Sequence, residues 1–479
     1  MRLQILAAAV GLSFALAGCA SSGGLHPNGT LTEPSSLKAG RSLANVEVSD
    51  AAWPKQDWWT GLGDAQLSAL IAEALRDNPN LAVADARARQ AQAAAGAADA
   101  SRKPSVNASA SFGEARIPTS IPVLGTGHVG ALKYVDASFK WNIDLWGGQR
   151  AAWEAALGRQ RAAEVDTQAA RIVLSTNVAR AYVQLGYAYT QQDVASAELN
   201  RASEARDLTR QRVAAGIDNQ MQLKQSDSEV ASAQGQKAQA DRAVDAARTA
   251  LSVLLGKGPD RGLEIARPQL LPPAMLTVPA NLPVELVGHR ADLVAARWQV
   301  EAASKDIKSA KTQFLPNVNI GAMAGLINLG GANLFSLRNR FYEVAPAISL
   351  PLFDGGRRRA NLNSNDAQYD LAVAQYNKTL VSAVNEVADD YDAVASMQEQ
   401  IQAQQRALDA ANDAWKLSEQ RYKAGIGSYL EALSVRQQLL AAEQRMAALR
   451  AQQSDLNVQL IQALGGGFRP QADAELSSR

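Results

Sequence analysis

Two kinds of hydrophobic pattern alternate along this chain, and each occurs twice. Along Ser105, Asn107, Ser109 and Ser111 polar side chains interleave with apolar Val106, Ala108, Ala110 and Phe112, a period of two that predicts a strand with one wet face. The same alternation runs through Val135, Ala137, Phe139, Trp141 and Ile143 against Asp136, Ser138, Lys140, Asn142 and Asp144. It returns in Val318, Ile320, Ala322 and Ala324, and again in Val344, Ile348, Leu350 and Leu352. Strands are therefore expected at about 104–116, 130–146, 316–328 and 340–353. The second pattern is helical, as in Leu174, Val178, Ala181 and Leu185, or Leu430, Leu433 and Leu440. It fills two long stretches free of proline, Val123 to Gly258 and Leu352 to Arg469, although the chain holds 17 prolines. From Gly148 to about Ala215 a single helix would reach ~100 Å, a length that points to coiled-coil contact rather than to a compact domain.

Sliding the chain on itself shows that its halves are tandem copies about 210 residues apart. Pro104-Ser105-Val106-Asn107 falls on Pro316-Asn317-Val318-Asn319 at an offset of 212. Leu145-Trp146 falls on Leu352-Phe353 at 207, after which Asp354 reads as an insertion; Gly216-Ile217 falls on Gly425-Ile426, and Leu255-Gly256 on Leu464-Gly465, at 209. Each copy reads helix, two strands, long helix, turn, return helix. The expected organisation is a first repeat over 61–256, a Pro-rich linker over 257–283, a second repeat over 284–465 and a tail over 466–479.

Across 479 residues, 48 basic and 47 acidic side chains leave a formal charge of +1, so no bulk charge selects nucleic acid as a partner. No run approaches the ~20 apolar residues of a spanning helix, which excludes a multi-span helical transporter. Three scattered histidines, His26, His128 and His289, leave little for a metal or acid–base site, and the chain is not expected to be an enzyme. His289 opens a helix without a second ligand at metal spacing, so its expected role is structural; Trp53, Trp58 and Trp59 are expected to pack the N-terminal segment. At the start, Arg2 and the short apolar run to Ala17 read as a signal peptide over 1–18. Leu16-Ala17-Gly18-Cys19 looks like a lipoprotein box, with Cys19, the only cysteine, as the point of acyl (palmitate) attachment. The expected cofactors are none beyond that covalent lipid. Ala20 after the cysteine implies the outer membrane, and residues 19–60 suit a tether leading into a belt segment.

Ten of the 26 aromatic residues lie within 104–146 and 314–353, the enrichment expected of strands with interfacial girdles. A soluble sandwich would show the same alternation; the export signal favours a membrane barrel. Four strands cannot close such a barrel, and an open edge in lipid leaves backbone groups unpaired, so several chains must share one.

Read together, several motifs resemble the TolC-like outer membrane factors of tripartite efflux pumps, in the OprM/NodT-type lipoprotein branch. They are Trp58-Trp59, Leu62-Gly63-Asp64-Ala65-Gln66-Leu67, Asp144-Leu145-Trp146-Gly147, Pro351-Leu352-Phe353-Asp354-Gly355-Gly356-Arg357, Arg421-Tyr422-Lys423-Ala424-Gly425 and Ala463-Leu464-Gly465-Gly466-Gly467. The resemblance implies a mainly α chain with a transmembrane β-barrel: a homotrimer with a 12-stranded barrel continued by a long periplasmic helical tunnel. It implies a passive exit duct for drugs or other small molecules, embedded in outer membrane lipid, with a periplasmic adaptor and an energised inner-membrane transporter as partners. A protein-secretion duct and a pore-less coiled-coil lipoprotein are the rival readings.

Two places carry site expectations. The turns Arg212-Val213-Ala214-Ala215-Gly216-Ile217 and Arg421-Tyr422-Lys423-Ala424-Gly425-Ile426 read as glycine helix stops. In relatives the adaptor meets such turns, which makes Arg212, Gly216, Ile217, Arg421, Gly425 and Ile426 the docking candidates. Asp207 and Lys416, equivalent at offset 209, with Leu208 and Leu417 beside them, are the candidates for a periplasmic gate in which three Asp207 and three Lys416 alternate around the closed mouth. A solvated helical face is the plainer account of those charges.

Overall fold

The computed structural model describes residues 24–39, 53–116, 129–269, 282–329 and 333–469. Cys19, the signal segment and residues 270–281 of the linker lie outside the described residues. In chain order the main elements are α1 (Ala65–Asp77), α2 (Pro79–Ser101), β1 (Ser105–Arg116), β2 (Val129–Ile143), α3 (Gly148–Ala214) and α4 (Gln220–Leu254). The short α5 (Asp260–Leu263) and α6 (Leu282–His289) precede α7 (Ala291–Thr312), β3 (Asn317–Leu329), β4 (Arg340–Ser349), α8 (Arg357–Lys423) and α9 (Tyr429–Ala463). The internal repeat is built into these lengths, since α3 and α8 each have 67 residues and α4 and α9 each have 35. Among the described residues no helix is long and apolar enough to cross a membrane.

The chain divides into two compact units. One comprises the described parts of 1–31, 87–164 and 295–377 and holds the sheet, an antiparallel meander in the order β1-β2-β3-β4. Its register aligns the two-residue pattern of every strand: Ser109 faces Asp136, Asp136 faces Gly325 and Gly325 faces Phe341, while Ala110 faces Val135, Val135 faces Leu326 and Leu326 faces Arg340. β2 and β4 stop at Ile143 and Ser349, short of 146 and 353. The chain turns there because Asp144 and Asp354 are drawn into capping the helices that follow. Asp144 accepts the backbone N–H of Gln149 at 3.2 Å and of Arg150 at 2.8 Å; Asp354 accepts those of Gly356 at 3.1 Å and Arg358 at 3.2 Å. Asp354, which reads in the sequence as an insertion, is thus the working counterpart of Asp144. Beside the sheet, Ile307, Ala310, Phe314 and Leu362 form a small core. Lys305 pairs with Glu154 at 3.0 Å, and Gly158 lies close against Ala302.

The other unit comprises the described parts of 32–86, 165–294 and 378–479. α1 is capped by Asp64, whose carboxylate accepts the Leu67 N–H at 2.8 Å and the Tyr182 hydroxyl at 2.9 Å. Its buried face of Leu67, Leu70, Ile71 and Ala74 packs with Val178, Tyr182, Leu185, Leu251 and Ile461. Trp58 belongs to this core, and His289 stacks on Trp53 at 3.9 Å between ring centroids with its Nδ1 on the Glu285 carbonyl, a packing role. An ion pair joins the repeats, Arg180 to Asp455 at 2.7 Å, and another lies within the second repeat, Arg290 to Glu386 at 2.7 Å.

Candidate functional site: the helix turns and the two-faced sheet

Both long helices end in the same backbone device. Ile217 N–H donates to the Arg212 carbonyl at 2.9 Å and Gly216 N–H to Val213 at 3.0 Å; Ile426 donates to Arg421 and Gly425 to Tyr422, each at 3.0 Å. These are the paired bonds of a Schellman stop, which needs a left-handed residue, and φ is +74° at Gly216 and +76° at Gly425. Two residues on, Asn219 and Ser428 cap the return helices through the N–H groups of Gln222 and Glu431. Such turns hold their shape without tertiary packing. As a result Ile217 and Ile426 stand outward, 63% and 71% exposed.

The two tip arginines differ. Arg212 is folded inward, paired with Asp218 at 2.8 Å and seated 5.0 Å from the centre of the Tyr422 ring. Asp218 holds its guanidinium charged more firmly than usual. Arg421 stays exposed, 3.8 Å from Glu431. Arg212 therefore shapes the turn, while Arg421, Gly216, Ile217, Gly425 and Ile426 form its outer surface.

Within one chain Asp207 and Lys416 find their partners on their own helices. Asp207 accepts from Arg210 at 2.8 Å and lies 3.9 Å from Arg206; Lys416 lies 3.3 Å from Asp413. Leu208 packs against the cluster of Tyr422, Tyr429 and Ala432, whereas Leu417 is exposed.

A network that the sequence reading missed lies just behind the turns. Tyr429 donates to Glu229 at 2.9 Å, Arg436 pairs with Glu198 at 2.9 Å, and Arg201 pairs with Glu198 at 2.6 Å, with Arg201 and Arg436 both lying over the Trp415 ring. Burial pushes the Glu229 carboxyl up, against the pull of the Tyr429 hydroxyl and Arg201. The signal was available as a break in the repeat. At offset 209, Val213 becomes Tyr422, Gln220 becomes Tyr429, Arg206 becomes Trp415 and Asp227 becomes Arg436. Where two copies of one unit diverge in aromatics and charge, they make unequal contacts.

In the sheet the register sorts side chains onto two faces. One carries Val106, Phe139, Ala322 and Val344 in one row, and Ala108, Ala137, Ala324 and Tyr342 in the next. Tyr342 on this apolar face is 84% exposed, with Val106, Phe112, Val344 and Ile348 also open. The other face carries Ser105, Asn107, Ser109, Asp136, Ser138, Lys140, Asn319 and Glu343. Asp136 is buried on it and accepts the Ser109 hydroxyl. β1 and β4 are both edges, each paired on one side only. An antiparallel sheet with one exposed face apolar until charged side chains, among them Glu114, Lys133 and Arg340, appear toward the hairpins, one polar face and, among the described residues, two open edges matches a segment of a barrel wall.

The sequence model described as "Outer membrane efflux protein" matches residues 70–257 and 282–466. The chain belongs to that family. It is 34% identical over 370 residues to the fusaric acid resistance protein FusA of Burkholderia cepacia, covering 75% of this chain and 69% of FusA. It is 29% identical to the multidrug resistance outer membrane protein MdtP of Escherichia coli, covering 89% of each. Among solved structures, the outer membrane protein VceC of Vibrio cholerae superposes with a TM-score of 0.82 at 34% identity, over 87% of this chain and all of VceC. The outer-membrane channel OprN gives 0.81 at 26% identity over 94% and 98%. The resemblance drawn from the motifs is borne out. The fold is that of the TolC-like channels, the chain is an outer membrane protein, and the alternating strands belong to a membrane barrel rather than a soluble sandwich.

Proposed function

We propose that three copies of this chain pool their four-stranded sheets into one 12-stranded barrel and form the outer membrane exit duct of a tripartite small-molecule efflux pump. The observation that carries the reading is the sheet itself. Its apolar face suits lipid, its polar face suits water, and its unpaired edges are tolerable in lipid only if β4 of one copy meets β1 of the next. A hydrated passage lowers the barrier for a solute without any covalent step, so the duct acts passively and not as an enzyme. The energy comes from an inner-membrane transporter reached through a periplasmic adaptor. The stiff turns with outward Ile217 and Ile426 suit the adaptor's docking, and an acylated Cys19 would anchor the N-terminus.

A strain lacking its own duct but retaining adaptor and pump provides the test. Expression of this chain is expected to restore ethidium efflux. Assembled protein that restores no efflux of small molecules would overturn the assignment, and recovery of polypeptide export instead would support the secretion reading.

A further inference from the structure

The polar face of the sheet does not stay polar. From the helix end toward the hairpin end its rows read Ser105, Lys140, Gly321, Ala345; then Asn107, Ser138, Met323, Glu343; then Ser109, Asp136, Gly325, Phe341; and finally Ser111, Tyr134, Ile327. Leu132 follows opposite Gly113. Among the described residues, the charged members of this face, Lys140, Asp136 and Glu343, all lie at or below the Phe341 row.

Tyr134 and Phe341 sit on strands separated by β3, a spacing of about 10 Å between backbones. Their rings nevertheless stack, with centroids 5.6 Å apart and planes at 22°. They close over β3 because the intervening residue opposite Phe341 is Gly325. A Cβ there would stand 2.2 Å from the Val135 carbonyl oxygen and 2.8 Å from the Asp136 Cα, so the strands leave no room for a side chain. Ile327 stands beside the pair, 41% exposed. A soluble core would bury such a trio, yet here it stands on the face that, nearer the helices, carries Ser, Asn, Lys, Asp and Glu among small residues and one Met.

We infer that Tyr134, Ile327 and Phe341 form an apolar collar at the hairpin end of the lumen, crossed slowly by hydrated solutes and contacted by flat aromatic ones. The inference rests on the trimeric duct proposed above, which repeats the trio three times around one wall. A ring of this kind disfavours continuous water and so raises the barrier for ions and polar solutes, while aromatic faces give a planar hydrophobic solute a surface to stack on. The collar thereby differs from the rows beneath it, which carry the face's charged side chains Lys140, Asp136 and Glu343.

The test places a reporter below the collar. Ser138→Cys sits on the lumen face one row on the helix side of Asp136, and its labelling from outside whole cells by a charged, membrane-impermeant maleimide is timed, with the unsubstituted chain as the background. Labelling is expected to be slow, to speed up at least about fivefold when Phe341→Ser or Tyr134→Ser opens the ring, and to slow further with Phe341→Trp. Ethidium is expected to protect the cysteine in the Ser138→Cys protein and to lose that effect with Phe341→Ser. Equal labelling rates in all of these assembled proteins would overturn the collar and leave the duct standing. A cysteine that only a lipid-soluble reagent reaches would overturn the lumen face itself, and the duct with it. Should the serine variants fail to assemble, the Phe341→Trp comparison decides: an unchanged rate refutes the collar and a slower one supports it.

Discussion

Replacing Ile217 and Ile426 by glutamate separates the docking role of the turns from their structural role. The two side chains are 63% and 71% exposed, and their backbone N–H groups, not their side chains, complete the Schellman stops. The folded trimer should therefore melt within about 0.5 kcal/mol of its normal stability. If an adaptor tip covers them, each isoleucine hides about two-thirds of its surface, contributing roughly 1–2 kcal/mol. That is about a tenfold loss of affinity per turn when it is removed, and a buried carboxylate would add to the loss. Adaptor binding is read by cross-linking in whole cells and by titration of detergent-purified components, with ethidium efflux alongside. The expected result is an intact trimer in which Ile217→Glu or Ile426→Glu alone loses about tenfold in adaptor affinity and the two together roughly a hundredfold. A correctly assembled double variant that binds the adaptor within a factor of two of the parent would refute the docking assignment.

The left-handed glycines predict a cost of a different kind: Gly216→Ala and Gly425→Ala should each cost about 1–2 kcal/mol through backbone strain alone. Nothing lies within 4 Å of the added Cβ, so unchanged melting would mean the turns relax. Arg436→Met should cost about 2 kcal/mol or more, because Glu198 is left buried with only Arg201; adding Glu198→Gln should recover part of it, which a double-mutant cycle on melting temperature measures. Asp390 is raised to about 6 by burial and by Glu386 and Asp389, against the pull of Arg180 and Arg290. The folded chain then keeps a proton that the unfolded chain releases from pH 3.8 upward, so this group's contribution to stability falls as pH rises from about 4 to about 6 and is level above. Asp390→Asn should stabilise by about 1–2 kcal/mol at pH 7.5, by roughly half of that at pH 5 and by little at pH 4, and an equal gain at pH 7.5 and pH 4 would contradict the assignment.

The legible features were those carried by local chemistry. The alternation from Ser105 to Phe112 requires only that one face be wet, and the strand follows. The proline-free run after Gly148 requires only helix continuity, and α3 follows to Ala214. Gly216 and Gly425 are visible because few other residues tolerate their φ. Features that depend on which elements meet stayed hidden. Arg212 and Arg421 are equivalent in the repeat, yet only Arg212 meets an Asp218 and a Tyr422, so one turns inward and the other does not. Asp207 and Lys416 suggest a pair by position, but each is first satisfied by a neighbour three residues away. The aromatic pair over Gly325 requires the register of three strands, which no single strand's pattern contains.

The mass of the full-length protein released from membranes in a mild detergent, read together with its current in a planar bilayer, tests the shared barrel most directly. Three chains, each of 50.8 kDa less the signal segment and plus any attached lipid, with discrete ion-conducting steps are the expected result. A stable, fully folded single chain that inserts without conducting would contradict it.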